Sequence, residues 1–235
     1  IREAERGVVY DNYSDKAQEL LTGTVVKIDV NGDMFVRVGQ GAEASDAVMR
    51  VSEQIPGETW REGDKIKVYV LEVHKMGRGP IVHVSRTHPN MVRRLFELET
   101  PEIADGQVEI RNIAREAGSR SKIAVMSNNE NVDALGACIG PQRSRISRIC
   151  DELRGEKIDV VKYSDDPKEF IKQALKPADV ISVDIPDEEV RACSVVVPDN
   201  QLSLAIGNKG QNAKLAARLT GFKIDIKPES GFFEG

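Results

Sequence analysis

Aromatic residues are scarce in this 235-residue chain, with one Trp, four Tyr and six Phe, or 5% in all. That excludes one large core built on aromatic packing. The ordinary apolar content of 40% points instead to several small cores in one to three domains. Cysteine is limited to Cys138, Cys150 and Cys193. The odd number and the absence of CxxC spacing exclude a disulfide framework and read as reduced, buried thiols of a cytosolic protein. No apolar run approaches the roughly 18 residues of a membrane span, and no signal-peptide pattern is present, so no membrane association is expected. The chain has no GxxxxGK[ST], HExxH or GxSxG. Its three histidines, His74, His83 and His88, have no metal-type spacing to cysteine. No catalytic residue, metal or other cofactor is expected. An excess of positive charge is missing too: 33 Lys and Arg stand against 38 acids, a net charge of −5. The global charge therefore gives no nucleic-acid signal, and any such signal has to be local. Paired acids such as Asp165-Asp166 read as helix caps rather than metal ligands.

What is present is organised around residues 202–213, LSLAIGNKGQNA. An apolar helical run reaches the tetrad Gly207-Asn208-Lys209-Gly210, and a second helical run leaves it. Glycines allow close backbone approach. The second helix opens with free N–H groups that attract anions, and Lys209 adds a positive charge. The combination reads as a clamp on a sugar-phosphate chain, although a two-glycine turn between helices would look similar.

An internal repeat strengthens the first reading. Residues 88–164 predict a helix from Pro89 with Met91, Leu95 and Leu98 on one face. Strands follow at 108–114 and 122–126, then a helix to Ile139, the tetrad Gly140-Pro141-Gln142-Arg143, a helix from Ser144, and the strand Lys157–Val161. Residues 165–228 repeat that α-β-β-α-α-β order and close on Lys223-Ile224-Asp225-Ile226. The first tetrad departs from GxxG: Pro141 lacks an N–H donor, and Arg143 restores a Cβ while supplying a guanidinium. Upstream, residues 22–87 predict five short strands with an Asn31-Gly32-Asp33 hairpin turn and a turn at Gly77–Pro80, the pattern of a small closed barrel of OB type. Alternation places Met34, Val36, Val38, Ile66, Val68 and Val70 inside, with Phe35, Arg37, Lys67 and Tyr69 outside. Aromatics beside cations suit base stacking over a phosphate track, and packing of Phe35 on a neighbouring domain is the competing reading. Residues 1–21 predict a charged helical linker at the end of a missing N-terminal domain, and 229–235 a frayed tail.

Three windows contain no acid. Residues 73–96 carry Lys75, Arg78, Arg86, Arg93, Arg94 and all three histidines. Residues 134–150 carry Arg143, Arg145 and Arg148. Residues 200–224 carry Lys209, Lys214, Arg218 and Lys223. An acidic chain thus still carries basic tracks at the barrel and at both tetrads. The residues assigned to RNA contact are Gly207, Asn208, Lys209, Gly210, Gln211, Asn212, Lys214 and Arg218 at the second tetrad. At the first they are Gly140, Pro141, Gln142, Arg143 and Arg145. On the barrel they are Phe35, Arg37, Lys67, Tyr69, His83 and Arg86.

The order of modules, with Ser119–Val125, Gly136–Gly140, Pro177–Val180 and Ala205–Asn212, resembles an S1 domain followed by two type II KH domains. In that order it is similar to the RNA-binding core of the NusA family of bacterial transcription factors. The fold class implied is multidomain: an all-β S1 barrel of OB type followed by two α+β KH domains. The resemblance implies a cytoplasmic factor that binds nascent single-stranded RNA along a continuous S1–KH–KH surface. Such a factor modulates pausing, termination and antitermination by RNA polymerase. RNA polymerase and other elongation and antitermination factors are the implied partners. In KH domains the GxxG loop clamps about four nucleotides of backbone. Asn31 stands where many S1 domains have an aromatic residue, which leaves Phe35 as the better stacking residue. A protein-docking scaffold with incidental RNA binding is the alternative that the acidic charge favours.

Overall fold

The computed structural model describes residue 13, residues 16–77 and residues 79–231. The expected linker over 1–21 and tail over 229–235 lie largely outside the described residues, as does Arg78 at the Gly77–Pro80 turn. The chain divides into two compact units, one up to Leu95 and one from Phe96 onward.

The first unit is a closed barrel with strand order β1-β2-β3-β5-β4. Its strands are β1 (Leu20–Ile28), β2 (Met34–Val38), β3 (Ser45–Met49), β4 (Lys65–Met76) and β5 (Gly79–Ser85). β1 starts two residues before the expected domain edge at 22. The period-2 pattern sorts side chains as it should: Met34, Val36, Val38, Ile66, Val68 and Val70 fill the barrel with Val25, Ala47, Met49, Val82 and Val84. Tyr13, assigned by sequence to the linker, belongs to this core. Its hydroxyl donates to the carbonyls of Val38 (2.9 Å) and Glu43 (2.7 Å). A Cβ on Gly39 would come within 2.3 Å of that hydroxyl, so glycine there admits the ring. In the β1–β2 turn, Asp29 Oδ1 accepts from the N–H groups of Asn31 and Asp33, an Asx-type closure.

α1 (Pro89–Glu99) runs across the division between the units. Met91 and Leu95 are buried, but Leu98 is 63% exposed, so the expected inward trio is in fact a pair joined by Val92 and Phe96. The second unit continues with α2 (Pro101–Ala104), β6 (Val108–Glu116), β7 (Arg120–Ser127), α3 (Ala134–Ile139), α4 (Ser144–Glu152) and β8 (Lys157–Lys162). The repeat follows as α5 (Pro167–Ala174), β9 (Ser182–Asp184), β10 (Ala192–Val197), α6 (Leu202–Ile206), α7 (Gln211–Thr220) and β11 (Lys223–Pro228). Each half forms a three-stranded sheet, β6-β7-β8 and β11-β10-β9. In both, the long hairpin is antiparallel and the last strand joins in parallel. Asp166 caps α5 by accepting from the Lys168 N–H, the role its position before Pro167 suggests.

The two halves share a core at their seam, although buried residues of the first half such as Ile123, Ile146 and Ile149 lie outside it. Ala114, Ala124 and Val161 of the first pack in one cluster with Phe170, Ile171, Leu215, Ala216 and Leu219 of the second. α7 lies against β6 and β7. Polar ties cross the same seam: Asn112 Nδ2 donates to the Leu219 carbonyl (3.0 Å) and Lys122 Nζ to the Lys176 carbonyl (2.7 Å). Within the first half, the fully buried pair Arg115–Glu156 has its carboxylate saturated by the Gly118 N–H and Ser121 hydroxyl, as a buried charge requires. All three cysteines are free thiols. Burial pushes Cys138 up to about 12 and Cys193 up to about 11, which leaves both protonated and unreactive near neutral pH.

Candidate nucleic-acid interface

The two tetrads have the same backbone path. α3 ends at Gly140 (φ 76°, ψ 169°) and α6 at Gly207 (φ 79°, ψ 171°). Both conformations fall in a region that is essentially restricted to glycine. The third residues match as well: Gln142 at φ 53°, ψ 31° and Lys209 at φ 53°, ψ 28°. So do the fourth: Arg143 at φ 62°, ψ 22° and Gly210 at φ 74°, ψ 13°. The departure of the first tetrad from GxxG therefore changes its chemistry and leaves its shape intact. The cost is an L-residue in the left-handed region at Arg143, about 1–2 kcal/mol.

The two glycines of the second tetrad have different jobs. A Cβ on Gly207 would stand 2.7 Å from the Asn212 backbone N, and one on Gly140 2.7 Å from Arg145 Cγ. The first glycine is needed for the close approach of the helix that follows. Around Gly210 the nearest atom to an added Cβ is Lys214 Cε at 3.6 Å, so the fourth position has room for a side chain, and Arg143 fills the equivalent space. α4 and α7 both begin without a side-chain cap; their first N–H groups, of Ser144 and Gln211, instead donate to the Pro141 and Asn208 carbonyls inside the tetrads.

Around the second tetrad, Asn208 and Lys209 are exposed. Lys214 Nζ reaches the Lys209 carbonyl (3.2 Å) and Arg218 Nη1 the Arg115 carbonyl (3.3 Å). Gln211 Nε2 donates across the seam to Glu116 Oε2 (3.0 Å) and Ser119 Oγ (2.6 Å). Asn212 borders the cleft beside this tetrad but spends its amide N–H groups within the fold. It is buried, and its Nδ2 donates to the Leu175 and Ala205 carbonyls (3.1 and 2.9 Å), tying α7 to α5 and α6. At the first tetrad, Pro141, Gln142 and Arg143 are exposed. Arg145 instead turns back, its Nη1 donating to Glu102 Oε2 (2.8 Å) and the Ala137 carbonyl (2.7 Å).

A cleft of about 490 Å³ lies along the seam beside the second tetrad. Gly207, Asn208 and Ser203 form one side, and Ser119, Arg120 and Lys157 of the first half the other. Nothing local to the latter three signals a site in the sequence, because the fold brings this wall in from about 50 to 90 residues upstream. Arg120 is held by a two-point contact with Asp159 (2.8 and 3.0 Å), and Lys157 is exposed.

On the barrel, register places Lys27, Phe35, Val48, His83 and Glu72 in one cross-strand row over β1, β2, β3, β5 and β4. Lys27 Nζ sits 5.2 Å from the Phe35 ring centroid, a cation–π distance. Phe35 and His83 thus share a face with Val48 between them. Arg37 points out two residues along, exposed and 3.5 Å from Asp46. Lys67 is half-buried. His83 lies edge-on to His74; burial, then the nearby His74, lowers its pKa below the usual imidazole value.

Two barrel assignments need correction. Tyr69 leaves the barrel outward, as alternation predicts, but is only 3% exposed. The His88 ring stacks on it at 4.8 Å and Asn90 donates to its hydroxyl, so no face is left for a base. Arg86 is fully buried, held by two hydrogen bonds of 2.8 Å to the Glu58 carboxylate and stacked over Trp60. Its acid-free sequence window hides a partner 28 residues upstream.

Comparison with known proteins agrees with this architecture. Residues 14–85 match the S1 RNA binding domain, residues 86–163 the NusA-like first KH domain, and residues 167–234 the NusA-like second KH domain. The chain is 50% identical to the transcription termination/antitermination protein NusA of Halalkalibacterium halodurans, over 98% of the chain and 59% of that protein. It is 50% identical to that of Bacillus subtilis, over 98% of the chain and 60% of the relative. Against that of Mycobacterium tuberculosis it is 50% identical, over 97% of the chain and 67% of the relative. The chain spans about three-fifths of the length of the first two relatives. With a barrel and two tetrad-bearing α-β-β-α-α-β halves in this order, the chain belongs to the NusA family.

Proposed function

We propose that this chain is the RNA-binding part of a transcription termination/antitermination factor. It grips nascent single-stranded RNA at the two KH tetrads and on the Phe35 face of the barrel. Through that grip the whole factor modulates pausing, termination and antitermination by RNA polymerase, with other elongation factors as further partners. The role is binding rather than catalysis. The observation that carries the reading is the second tetrad: an exposed Asn208-Lys209 tip, a helix start behind it with no side-chain cap, and a polar cleft alongside. Phe35 with Lys27, together with Arg37, Lys67 and His83, supplies the barrel's share. Tyr69, Arg86, Asn212 and Arg145 act in the framework.

Replacing Asn208 and Lys209 with aspartates sets two negative charges against the phosphate track. Single-stranded RNA affinity, read by fluorescence anisotropy, should fall roughly 10–100-fold, and the affinity of the unaltered chain should drop steeply with salt. Unchanged affinity with an unchanged circular dichroism spectrum would rule the clamp out. Arg143→Gly should weaken binding less than the double aspartate; an equal or larger loss would make the first tetrad the primary grip. Affinity for RNA that barely responds to salt would favour the docking-scaffold reading.

A further inference from the structure

One side-chain cluster on the barrel goes beyond the RNA contact proposed for His83, because it joins that residue to Glu72 and His74. Glu72 and His83 are directly paired across β4 and β5, and His74 stands two residues along from Glu72 on the same face. A bulge between Val70 and Glu72 sets this register. His74 Nε2 is 2.9 Å from Glu72 Oε1. The His74 and His83 rings meet edge-on at 5.1 Å. One ligand atom from each of the three residues lies within 4.8 Å of the others. A simple ion pair between His74 and Glu72 uses two of these donors and gives no reason for the third to converge on them.

We infer that Glu72, His74 and His83 form a binding site for a divalent transition-metal cation of the zinc class. Two imidazoles and one carboxylate are a borderline donor set, suited to Zn²⁺, Co²⁺ or Ni²⁺ and unsuited to Mg²⁺ or Ca²⁺, which take oxygen ligands. A tetrahedral ion with bonds of about 2.0–2.2 Å holds its ligand atoms some 3.3–3.6 Å apart. Modest rotations of His74 and Glu72, whose side chains are 52% and 60% exposed, bring the donors to that spacing. The strand pair fixes the Cα positions, and the adjoining hollow of about 310 Å³ has room for a water in the fourth position. Arg50 borders the site and opposes a cation, which limits the affinity without removing a ligand. An ion here pins β4 to β5. It also places positive charge at one end of the Phe35 row.

The test uses the tag-free, chelator-treated chain and the metals alone. Co²⁺ titration should give a visible d–d spectrum of tetrahedral intensity at one equivalent, and Zn²⁺ should displace it. His74→Ala, His83→Ala and Glu72→Gln should each weaken Zn²⁺ binding in calorimetry by about tenfold or more, since even outer-shell partners are worth that much. To guard against a variant that fails to fold, nitrogen-15 imidazole spectra of the unaltered chain should show Zn²⁺ shifting His74 and His83 and leaving His88 in place. No binding, an unchanged affinity in folded variants, or shifts at His88 alone would each overturn the site.

Discussion

At the scale of single residues, the tetrads show that glycine can be required for two unlike reasons. Gly207 sits in a backbone region closed to other residues and directly against Asn212, so Gly207→Ala combines strain with overlap. Gly210 carries only the left-handed conformation, and the first tetrad already tolerates Arg at that place. Gly207→Ala should therefore lose about 3 kcal/mol or more of stability, and Gly210→Arg only about 1–2 kcal/mol. Urea unfolding separates the two; equal losses would show that the close approach to Asn212 is unimportant. Sequence reading found this stretch but could not divide the roles, because both glycines look alike until the neighbouring atoms are known. Asn212 shows the same limit. A polar side chain beside a phosphate-binding loop looks like a ligand contact, and only the fold reveals that it binds carbonyls of α5 and α6.

At the scale of elements, β7 and β8 are joined by more than their ladder. Asp159 on β8 receives Arg120 and the fully buried Lys122 from β7. Burial pushes its carboxyl up, but the Arg120 hydrogen bond and the two positive charges outweigh it and hold the group below the usual carboxylate value. Lys122 is itself pulled below the usual ammonium value, burial being its largest influence against one carboxylate. For Asp159 the sign follows: the depressed folded value stabilises the fold above the unfolded value of about 3.9, and that contribution is lost as pH falls through the folded value. As pH falls below about 4, the stability of the unaltered chain should fall more steeply than that of Asp159→Asn, followed by denaturant unfolding at each pH. Parallel slopes would mean that the carboxylate is not held down. Elements themselves were well read from the sequence. Strand alternation gave the barrel's inward residues, and the repeat gave both sheets. Alternation states which way a side chain leaves a strand and not what covers it, so Tyr69 reads as open in the sequence although the chain returns over it at His88. The Glu72, His74 and His83 cluster was invisible for a related reason, since a bulge and a cross-strand register create it.

At the scale of the molecule, part of the basic charge that the sequence displays is consumed inside the fold. The net charge is acidic, yet several basic residues of the acid-free windows are spent on internal partners, Arg86 and Arg145 among them. The windows therefore overstate the cations available to a ligand. The seam between the two KH halves was not legible at all, because the repeat suggests independent modules and gives no sign of a common core. Leu219, 1% exposed and in the shared cluster, is the place to test it. Leu219→Ala should cost about 2–5 kcal/mol, and hydrogen exchange should show β6 and β7 losing protection together with β9 and β10. A loss confined to residues 165–231 would mean that the halves are stabilised separately.

That common core also bears on how a strand of RNA is measured. Two sites joined by a flexible tether accept many spacings, and the effective concentration of the second site falls off gradually with linker length. Here no tether intervenes, because α7 of one half is packed on the sheet of the other. The separation of the two grips is a fixed length, and the ordering of one against the other is complete before any ligand arrives. With one RNA strand held at both tetrads, as proposed above, the protein would act as a ruler: the number of nucleotides between the two contacts would become part of what is recognised, in addition to the bases themselves.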